Sequence, residues 1–225
     1  MDAEQKKSRC IIIGAGELTA ERIEVFAGDL VVAVDGGYAY SEVLGIEPDY
    51  IIGDFDSISQ KCKSKLEMLK KNDPDRVIQL CPEKDDTDML AALKLGLECG
   101  CEDFQIYAAT GGRLEHTIAN IQCLLYLKNK GAVGCFCDGK EEIFVMKDEE
   151  IHFPGSREGY LSLFPLGKEA RGITIRGLKY PLENYTMRND FPIGVSNEFI
   201  GCESTVSVRD GELVGIICRK ESNEL

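Results

Sequence analysis

The sequence of 225 residues contains no tryptophan, two histidines and no pair of cysteines spaced Cys-x-x-Cys. Zinc sites are built mainly from cysteine and histidine at such spacings, so we expect no zinc-binding module. Positive charge is also in deficit, because 26 lysines and arginines face 39 aspartates and glutamates, which gives a formal net charge of −13. Nucleic-acid binding requires a basic patch, so we expect no nucleic-acid partner.

Long apolar runs are missing as well. No apolar stretch is long enough to span a bilayer, and the run that follows the charged residues 1–9 is too short for a signal peptide. We therefore expect no membrane partner and a cytoplasmic location. Several of the ten cysteines lie inside apolar segments, for example Cys10, Cys123 and Cys218, where cysteine acts as a small buried hydrophobic residue.

The first half of the chain alternates short apolar runs with helical patterns. Runs at about 9–13, 30–34, 50–52, 76–80, 104–108 and 132–136 predict strands. Helices are predicted at about 19–27, 59–71, 89–97 and from 113 to a point before 131. Regular alternation of strand and helix is typical of a parallel sheet with helices on both faces. We therefore predict a three-layer α/β domain at residues 1–140.

The second half has a different character, because helical periodicity disappears from about residue 141. Short aliphatic runs at 143–146, 161–164, 172–176 and 205–208 predict strands. The pair Asp210-Gly211 lies between two such runs and predicts a tight hairpin. We predict a smaller all-β sandwich domain at residues 141–225, with antiparallel sheets.

Acidic residues collect where predicted strands end. Asp54 and Asp56 directly follow the third strand, and they either form a turn or bind a hard divalent cation such as Mg²⁺. Asp85 and Asp88 come just before the helix at 89–97, where carboxylates act as caps. With Asp86 they make three acids in four positions, which is more than capping needs. An acidic cluster across neighbouring strand ends is the second interpretation.

Glycines and an arginine follow other strands. The turn Gly14-Ala15-Gly16 lacks the third glycine of a dinucleotide fingerprint, so a tight turn is at least as good an explanation as phosphate contact. Asp35, followed by two glycines, either admits a ligand close to the backbone or precedes a capped helix. Arg113 falls in a first helical turn, where its charge is unfavourable, so it either pairs with a nearby carboxylate or binds phosphate. In the second half, residues 194–199 form an ordinary turn or a ligand-binding loop.

Five motifs in this order resemble those of the thiamine pyrophosphokinase family. They are Asp35-Gly36-Gly37, Pro48-Asp49 with Gly53-Asp54-Phe55-Asp56-Ser57, Lys84-Asp85-x-Thr87-Asp88, Gly111-Gly112-Arg113-x-x-His116-x-x-x-Asn120 and Ser196-Asn197. The resemblance spans about residues 10–217 and includes the change from an α/β half to a β half. Each motif is weak by itself, but five in order at matching separations are specific.

The resemblance implies an enzyme that transfers the terminal diphosphate of ATP to the hydroxyl of thiamine, with Mg²⁺ as cofactor and AMP as the second product. Asp54 and Asp56, with Asp85 or Asp88, would hold Mg²⁺ and the triphosphate. We take Asp85 as the third Mg²⁺ ligand and Asp88 as a further catalytic carboxylate. The residues implied at the nucleotide and its phosphates are Asp35, Gly36, Gly37, Lys84, Arg113 and Glu115.

Thiamine binding is implied for Ser196 and Asn197, which would come from the partner subunit. The family is usually a homodimer whose active sites lie at the subunit interface. Two features depart from the family pattern: Glu115 stands where many members have aspartate, and the chain lacks the tryptophan that animal members place near the C-terminus to stack on thiamine. Phe199 is our suggestion for a replacement aromatic ring.

Other functions share parts of this pattern. A diphosphokinase could act on another hydroxymethyl acceptor such as a pterin, and a magnesium-dependent phosphohydrolase would release phosphate without thiamine. A nucleotide or thiamine sensor without catalysis is the non-enzymatic alternative. Loss of catalysis would show most simply as missing carboxylates, and all those expected are present. The sequence therefore favours the thiamine diphosphokinase.

Overall fold

The structure is a computed structural model that describes residues 9–220, except Ser57, Pro82 and Lys84. The chain divides into two compact units between Gly139 and Lys140. The domain boundary predicted from the sequence lies one residue later. All ten cysteines are free thiols. Within the described ranges, no helix is long and apolar enough to cross a membrane.

The first unit contains a parallel sheet. Its strands are β1 (Arg9–Ile13), β2 (Leu30–Val34), β3 (Tyr50–Gly53), β4 (Val77–Gln79), β5 (Asp103–Tyr107) and β6 (Val133–Cys137). They lie in the order β6-β5-β1-β2-β3-β4, and every neighbouring pair is parallel. Continuous apolar runs such as Cys10–Ile13 are fully buried, as expected for strands covered on both faces. The predicted α/β fold of this half is confirmed.

Helices follow most of these strands. They are α1 (Gly37–Leu44), α2 (Gln60–Asn72), α3 (Asp88–Glu98) and α4 (Leu114–Asn129), with a 3-10 turn at Pro74–Arg76. The hydroxyl of Ser59 accepts a hydrogen bond from the Cys62 N–H and caps α2, and Thr87 caps α3 in the same way through the Leu90 N–H. These local signals explain why the predicted helices at 59–71, 89–97 and after 113 are confirmed.

The glycine pair after β2 begins a helix. Gly36 is the N-cap of α1, and a Cβ at Gly37 would lie 2.0 Å from the carbonyl oxygen of Ile13. Only glycine allows α1 to approach the end of β1 so closely. Of the two explanations for this pair, the structure shows the helix start and the backbone packing.

The predicted helix at residues 19–27 is wrong, because the chain from 14 to 29 contains neither helix nor strand. The N–H groups of Gly16 and Glu17 donate to the carbonyls of Ala108 and Thr110, at 2.8 and 2.7 Å, and hold the segment against the end of β5. Its residue Ile23 is buried against the sheet, whereas Val25 and Phe26 are 39% and 53% exposed. The segment therefore buries its apolar side chain without a helix, and part of its backbone finds partners at the end of β5.

The second unit is a sandwich of two antiparallel sheets. The first has the order β12-β9-β14-β7 and the second the order β11-β10-β13-β8. The strands are β7 (Glu141–Lys147), β8 (Glu150–Phe153), β9 (Tyr160–Pro165), β10 (Glu169–Arg176), β11 (Leu182–Arg188), β12 (Asn197–Glu198), β13 (Ser204–Ser207) and β14 (Glu212–Cys218). Their inward side chains share one core, in which Met146 and Leu161 of one sheet join Ile173 and Val206 of the other. The predicted all-β sandwich is confirmed.

The predicted hairpin at Asp210-Gly211 is wrong, because β13 and β14 belong to different sheets. The Asp210 carbonyl accepts a hydrogen bond from the Arg171 N–H at 2.8 Å, and the Gly211 N–H donates to Asp148 at 2.9 Å. The hydrogen bonds of this turn are therefore made with β10 and with the turn between β7 and β8, and Asp210-Gly211 carries the chain from one sheet to the other. Both flanking strands bury apolar residues in the shared core, which a flat hairpin would not allow.

Candidate active site

A cleft of about 600 Å³ lies in the first unit at the carboxyl ends of its parallel strands. Asp35 follows β2, Asp54 and Asp56 follow β3, and Asp88 begins α3; all four line the cleft. The opposite wall is formed by the end of β5 and the turn before α4. Ligands of open α/β sheets bind at this edge, because the strands end there and the chain turns away.

Three of these carboxylates form a group. One oxygen each of Asp35, Asp54 and Asp56 lies within 4.8 Å of the other two. The N–H of Asp56 donates to Oδ1 of Asp54 at 3.1 Å, so the turn itself fixes the two side chains relative to each other. Negative charges at this separation repel one another unless a cation lies among them. Such a set of oxygen ligands is what a hard divalent cation prefers.

Asp35 shows most clearly that a ligand fits here. Its Oδ1 atom is buried and has no hydrogen-bond partner among the described residues. Burial raises the pKa of this carboxyl above its ordinary value, and the charges of Asp54 and Asp88 raise it further. A buried acceptor without a donor is costly, and a bound cation would both supply a partner and stabilise the charged form. The residues present therefore fit Mg²⁺.

The backbone at these strand ends is strained. Asp35, Phe55 and Ala108 have positive φ angles of 47°, 59° and 50°, in a region that residues other than glycine seldom adopt. They follow β2, β3 and β5. Phe55 packs against the core beside β3, so the two aspartates flanking it are carried by an anchored turn. A Cβ at Gly53 would lie 3.1 Å from the Asp35 Cα, so glycine permits the two strand ends to approach.

Only some of the acidic residues at the start of α3 and just before it lie at the cleft. Asp86 and Asp88 line the cleft, and Asp86 forms an ion pair of 2.6 Å with Lys94. Asp85 is exposed and belongs neither to the cleft lining nor to the group of three carboxylates. The structure therefore brings Asp35, which we expected at the nucleotide, together with Asp54 and Asp56 in place of Asp85. Lys84 lies outside the described residues.

The turn before α4 lines the other side. Gly111 and Gly112 have positive φ angles of 81° and 65°. Arg113 Nε lies 3.5 Å from Glu115 Oε1, with both side chains about 70% exposed, and its guanidinium also contacts the ring of His116. The local pairing that we considered is therefore present. An exposed pair is worth at most about 1 kcal/mol, so Arg113 can exchange it for a phosphate. Gly36 and Gly37 are not among the cleft-lining residues.

Two lining residues, His116 and Asn120, were absent from our predicted site although both belong to a quoted motif. They lie one turn apart on α4, and the Asn120 amide donates to the Ala109 carbonyl at 2.7 Å. The apolar side chains of Leu114 and Ile118 on the same helix are 71% and 51% exposed. Polar residues at i and i+4 beside a glycine turn were the better signal.

Ser196 and Asn197 lie in the second unit. Ser196 is exposed with a φ of 57°, and its N–H donates to Ser162 Oγ at 3.0 Å. Asn197 is buried, and its side-chain amide bonds to the backbone of Tyr180. The suggestion of Phe199 as an exposed aromatic ring is wrong. That ring is 6% exposed and packs edge-on against Phe153, with centroids 5.4 Å apart.

Comparisons with known proteins agree with this architecture. The family model "Thiamin pyrophosphokinase, catalytic domain" matches residues 25–135, and "Thiamin pyrophosphokinase, vitamin B1 binding domain" matches residues 148–213. The chain belongs to the thiamine pyrophosphokinase family. The match to the catalytic-domain model lies in the first unit, and the match to the vitamin B1 binding model lies in the second.

Individual thiamine pyrophosphokinases are also similar along most of their length. The Bacillus subtilis protein is 33% identical over 190 residues, which are 83% of this chain and 86% of the relative. Thiamine pyrophosphokinase 1 of Oryza sativa is 30% identical over 182 residues, or 76% and 66% of the two chains. The crystal structure of the Bacillus subtilis enzyme superimposes with a TM-score of 0.81 at 28% identity, covering 94% of this chain and 99% of that one.

Proposed function

We propose that this chain transfers the terminal diphosphate of ATP to the hydroxyl of thiamine, giving thiamine diphosphate and AMP. The observation that carries the proposal is the group of three carboxylates, Asp35, Asp54 and Asp56, in one cleft with a glycine turn and an arginine. Transfer of a phosphoryl-type group depends on positioning and charge neutralisation more than on covalent help from the protein. The cleft offers an arginine for charge neutralisation, and carboxylates and a glycine turn for positioning.

Asp54 and Asp56 would hold Mg²⁺, and we assign the third position to Asp35 instead of Asp85, because Asp85 lies outside the carboxylate group. When bound, the cation would neutralise charge on the phosphate oxygens. ATP is itself an anion, so this acidic wall would repel it without the cation. The orphaned Oδ1 of Asp35 supports the assignment.

The chain's own residues have separable roles in this proposal. Arg113 and the N–H groups of the Gly111-Gly112 turn bind the phosphates, and Glu115 keeps the arginine near the turn until substrate arrives. Asp88 lies at the N-terminus of α3 and lines the cleft, and it is a candidate to receive the proton from the thiamine hydroxyl. Lys84 remains a proposed phosphate contact.

The acceptor is cationic, since the thiazolium ring of thiamine carries a fixed positive charge, and an acidic cleft favours its approach. We assign acceptor binding to the segment at Ser196 and Asn197, supplied by the partner subunit of a homodimer. The vitamin B1 binding model matches the part of the chain that contains these residues. We propose a cytoplasmic enzyme with ATP as co-substrate.

An acceptor assay tests the function. Purified protein with ATP and Mg²⁺ is offered thiamine, a hydroxymethylpterin or no acceptor, and the nucleotides are separated. We expect AMP with thiamine and Mg²⁺ together, and background amounts in every other mixture. AMP formation with the pterin would move the function to the alternative acceptor. Phosphate release without any acceptor would identify a phosphohydrolase.

A further inference from the structure

The side chain of Asn197 is engaged inside the second unit. Its Oδ1 accepts the Tyr180 N–H at 2.9 Å, and its Nδ2 donates to the Tyr180 carbonyl at 2.7 Å. Oδ1 also accepts the N–H of Glu198 at 3.0 Å, and the residue is 7% exposed. A side-chain amide that hydrogen-bonds both the N–H and the carbonyl of one residue fixes the position of that residue.

The residue held in this way carries an exposed aromatic ring. Tyr180 is 58% exposed, which is unusual for so large a side chain whose backbone is fixed by a buried amide. The adjoining backbone is also paired: Lys179 N–H donates to the Glu198 carbonyl at 3.0 Å, and Leu178 bridges to Phe199. The ring is therefore presented from a rigid ladder that continues directly into Ser196.

Charged groups lie beside this ring, and one of them already contacts it. The ammonium of Lys179 lies 5.8 Å from the Tyr180 ring centroid, so the ring already accepts a cation. That ammonium is paired with Glu198 at 2.7 Å, and Glu198 also pairs with Lys220 at 2.7 Å. These two lysines lower the pKa of Glu198 to about 2, so its charge persists at neutral pH. Glu198 thus neutralises one of these two lysine charges, which lessens their repulsion of a second cation.

We infer that Tyr180 is the aromatic contact for the positively charged thiazolium ring of the acceptor, and that Asn197 is a positioning residue that acts through Tyr180. This inference rests on the proposed function, because it takes the Ser196 segment as the acceptor site. It assigns a role to a ring in a chain without tryptophan, and it separates Asn197 from residues that touch the substrate.

Calorimetric titration of thiamine into the full-length protein, without ATP, tests the inference. Tyr180→Ala should weaken thiamine binding about tenfold, because the cation–π contact is lost, whereas Tyr180→Phe should stay within about threefold of the unaltered protein. The matched control is Tyr160→Ala, since Tyr160 is another exposed tyrosine of this unit with a lysine over its ring. It should leave thiamine binding unchanged.

A double-mutant cycle tests the positioning role. Asn197→Ala should also weaken thiamine binding, but it should add little in a Tyr180→Ala background, because both changes remove the same contact. Additive effects would mean that Asn197 touches the acceptor directly, and unchanged binding by Tyr180→Ala would overturn the inference. If the unaltered protein bound no thiamine, the proposed function would fail as well. Thiamine binding by the unaltered protein that Tyr180→Ala leaves unchanged removes this inference alone.

Discussion

The cleft of the first unit and the Ser196–Asn197 segment of the second come from equally clear motifs, yet their polar groups are in opposite states. Asp35 carries a buried oxygen with no described partner, beside two further carboxylates. Asn197 is the more deeply buried of the two residues, but its amide oxygen and nitrogen are both hydrogen-bonded to the protein. Unmet hydrogen-bonding capacity marks a residue that awaits a ligand, and satisfied capacity marks one that shapes the fold.

Backbone strain is present in both regions, but at different numbers of residues. Three residues other than glycine have positive φ angles at the strand ends beside the cleft, namely Asp35, Phe55 and Ala108, and the second segment has one at Ser196. Strain at strand ends costs about 1–3 kcal/mol each and persists where surrounding packing fixes it. The Ser196–Asn197 segment thus combines one strained, exposed serine with one hydrogen-bonded, buried asparagine.

The largest expected effect comes from breaking the carboxylate group. Asp56→Asn removes one negative charge from the three and should lower diphosphate transfer by more than about a hundredfold. The fold should be intact, since the exposed turn bears no core residue at this position. Transfer rate and circular dichroism are measured on Asp56→Asn and on Asp75→Asn, an exposed aspartate elsewhere in the first unit. Retained transfer by Asp56→Asn would remove this residue from the metal site.

The second effect concerns stability. Asn197→Ala leaves the N–H and carbonyl of Tyr180 without their side-chain partners, so the free energy of unfolding should fall by about 1–3 kcal/mol. Denaturant unfolding measures this change. Asn189→Ala, at an exposed asparagine of the same unit, is the control and should change stability by less than about 0.5 kcal/mol. Equal losses in the two variants would show that the Asn197 hydrogen bonds do not stabilise the fold.

The third effect depends on pH. The folded-state pKa of Asp35 is raised, so the unfolded chain loses this proton first as pH rises, and ionisation of Asp35 destabilises the metal-free fold. Asp35→Asn should therefore be more stable than the unaltered protein at pH 7 without Mg²⁺. The difference should shrink as pH falls from the raised pKa of Asp35 toward the ordinary aspartate pKa, and it should be absent below that value. Unfolding midpoints measured across pH in a chelating buffer test this, and a difference that does not vary with pH would contradict it.

The smallest effect is expected at the strained serine. Ser196→Ala removes one hydroxyl from the acceptor segment and should raise the KM for thiamine about threefold to tenfold, while the KM for ATP stays unchanged. Steady-state kinetics with each substrate varied in turn measure both constants. A change in the ATP constant with none for thiamine would place this segment outside the acceptor site.

Much of the fold follows from local signals in the sequence. Apolar runs bounded by turns located the strands of the parallel sheet, and Ser59 and Thr87 marked helix starts because a cap needs only the next few residues. The loop at residues 14–29 could not be predicted in this way. Its backbone partners, the carbonyls of Ala108 and Thr110, lie about ninety residues further along the chain.

The site was predictable to a similar degree. Asp54 and Asp56 are one residue apart in sequence, so their proximity follows from the turn. Asp35 joins them because β2 and β3 are neighbours in the sheet, which the sequence does not state. Asp85 looked equivalent to Asp88 by spacing, but Asp88 lies within α3 and Asp85 on the exposed segment before it. The sequence did not single out Tyr180, because its backbone is fixed by the side-chain amide of Asn197, seventeen residues further along the chain.

The most direct test of the central claim follows the phosphorus atoms. ATP labelled at the β-phosphorus is incubated with the protein, Mg²⁺ and thiamine, and the label is located by separating the products. We predict that the label moves to thiamine diphosphate and that AMP is unlabelled, because the β and γ groups leave together. Labelled ADP together with thiamine monophosphate, or labelled product formed without thiamine, would contradict diphosphate transfer in this cleft.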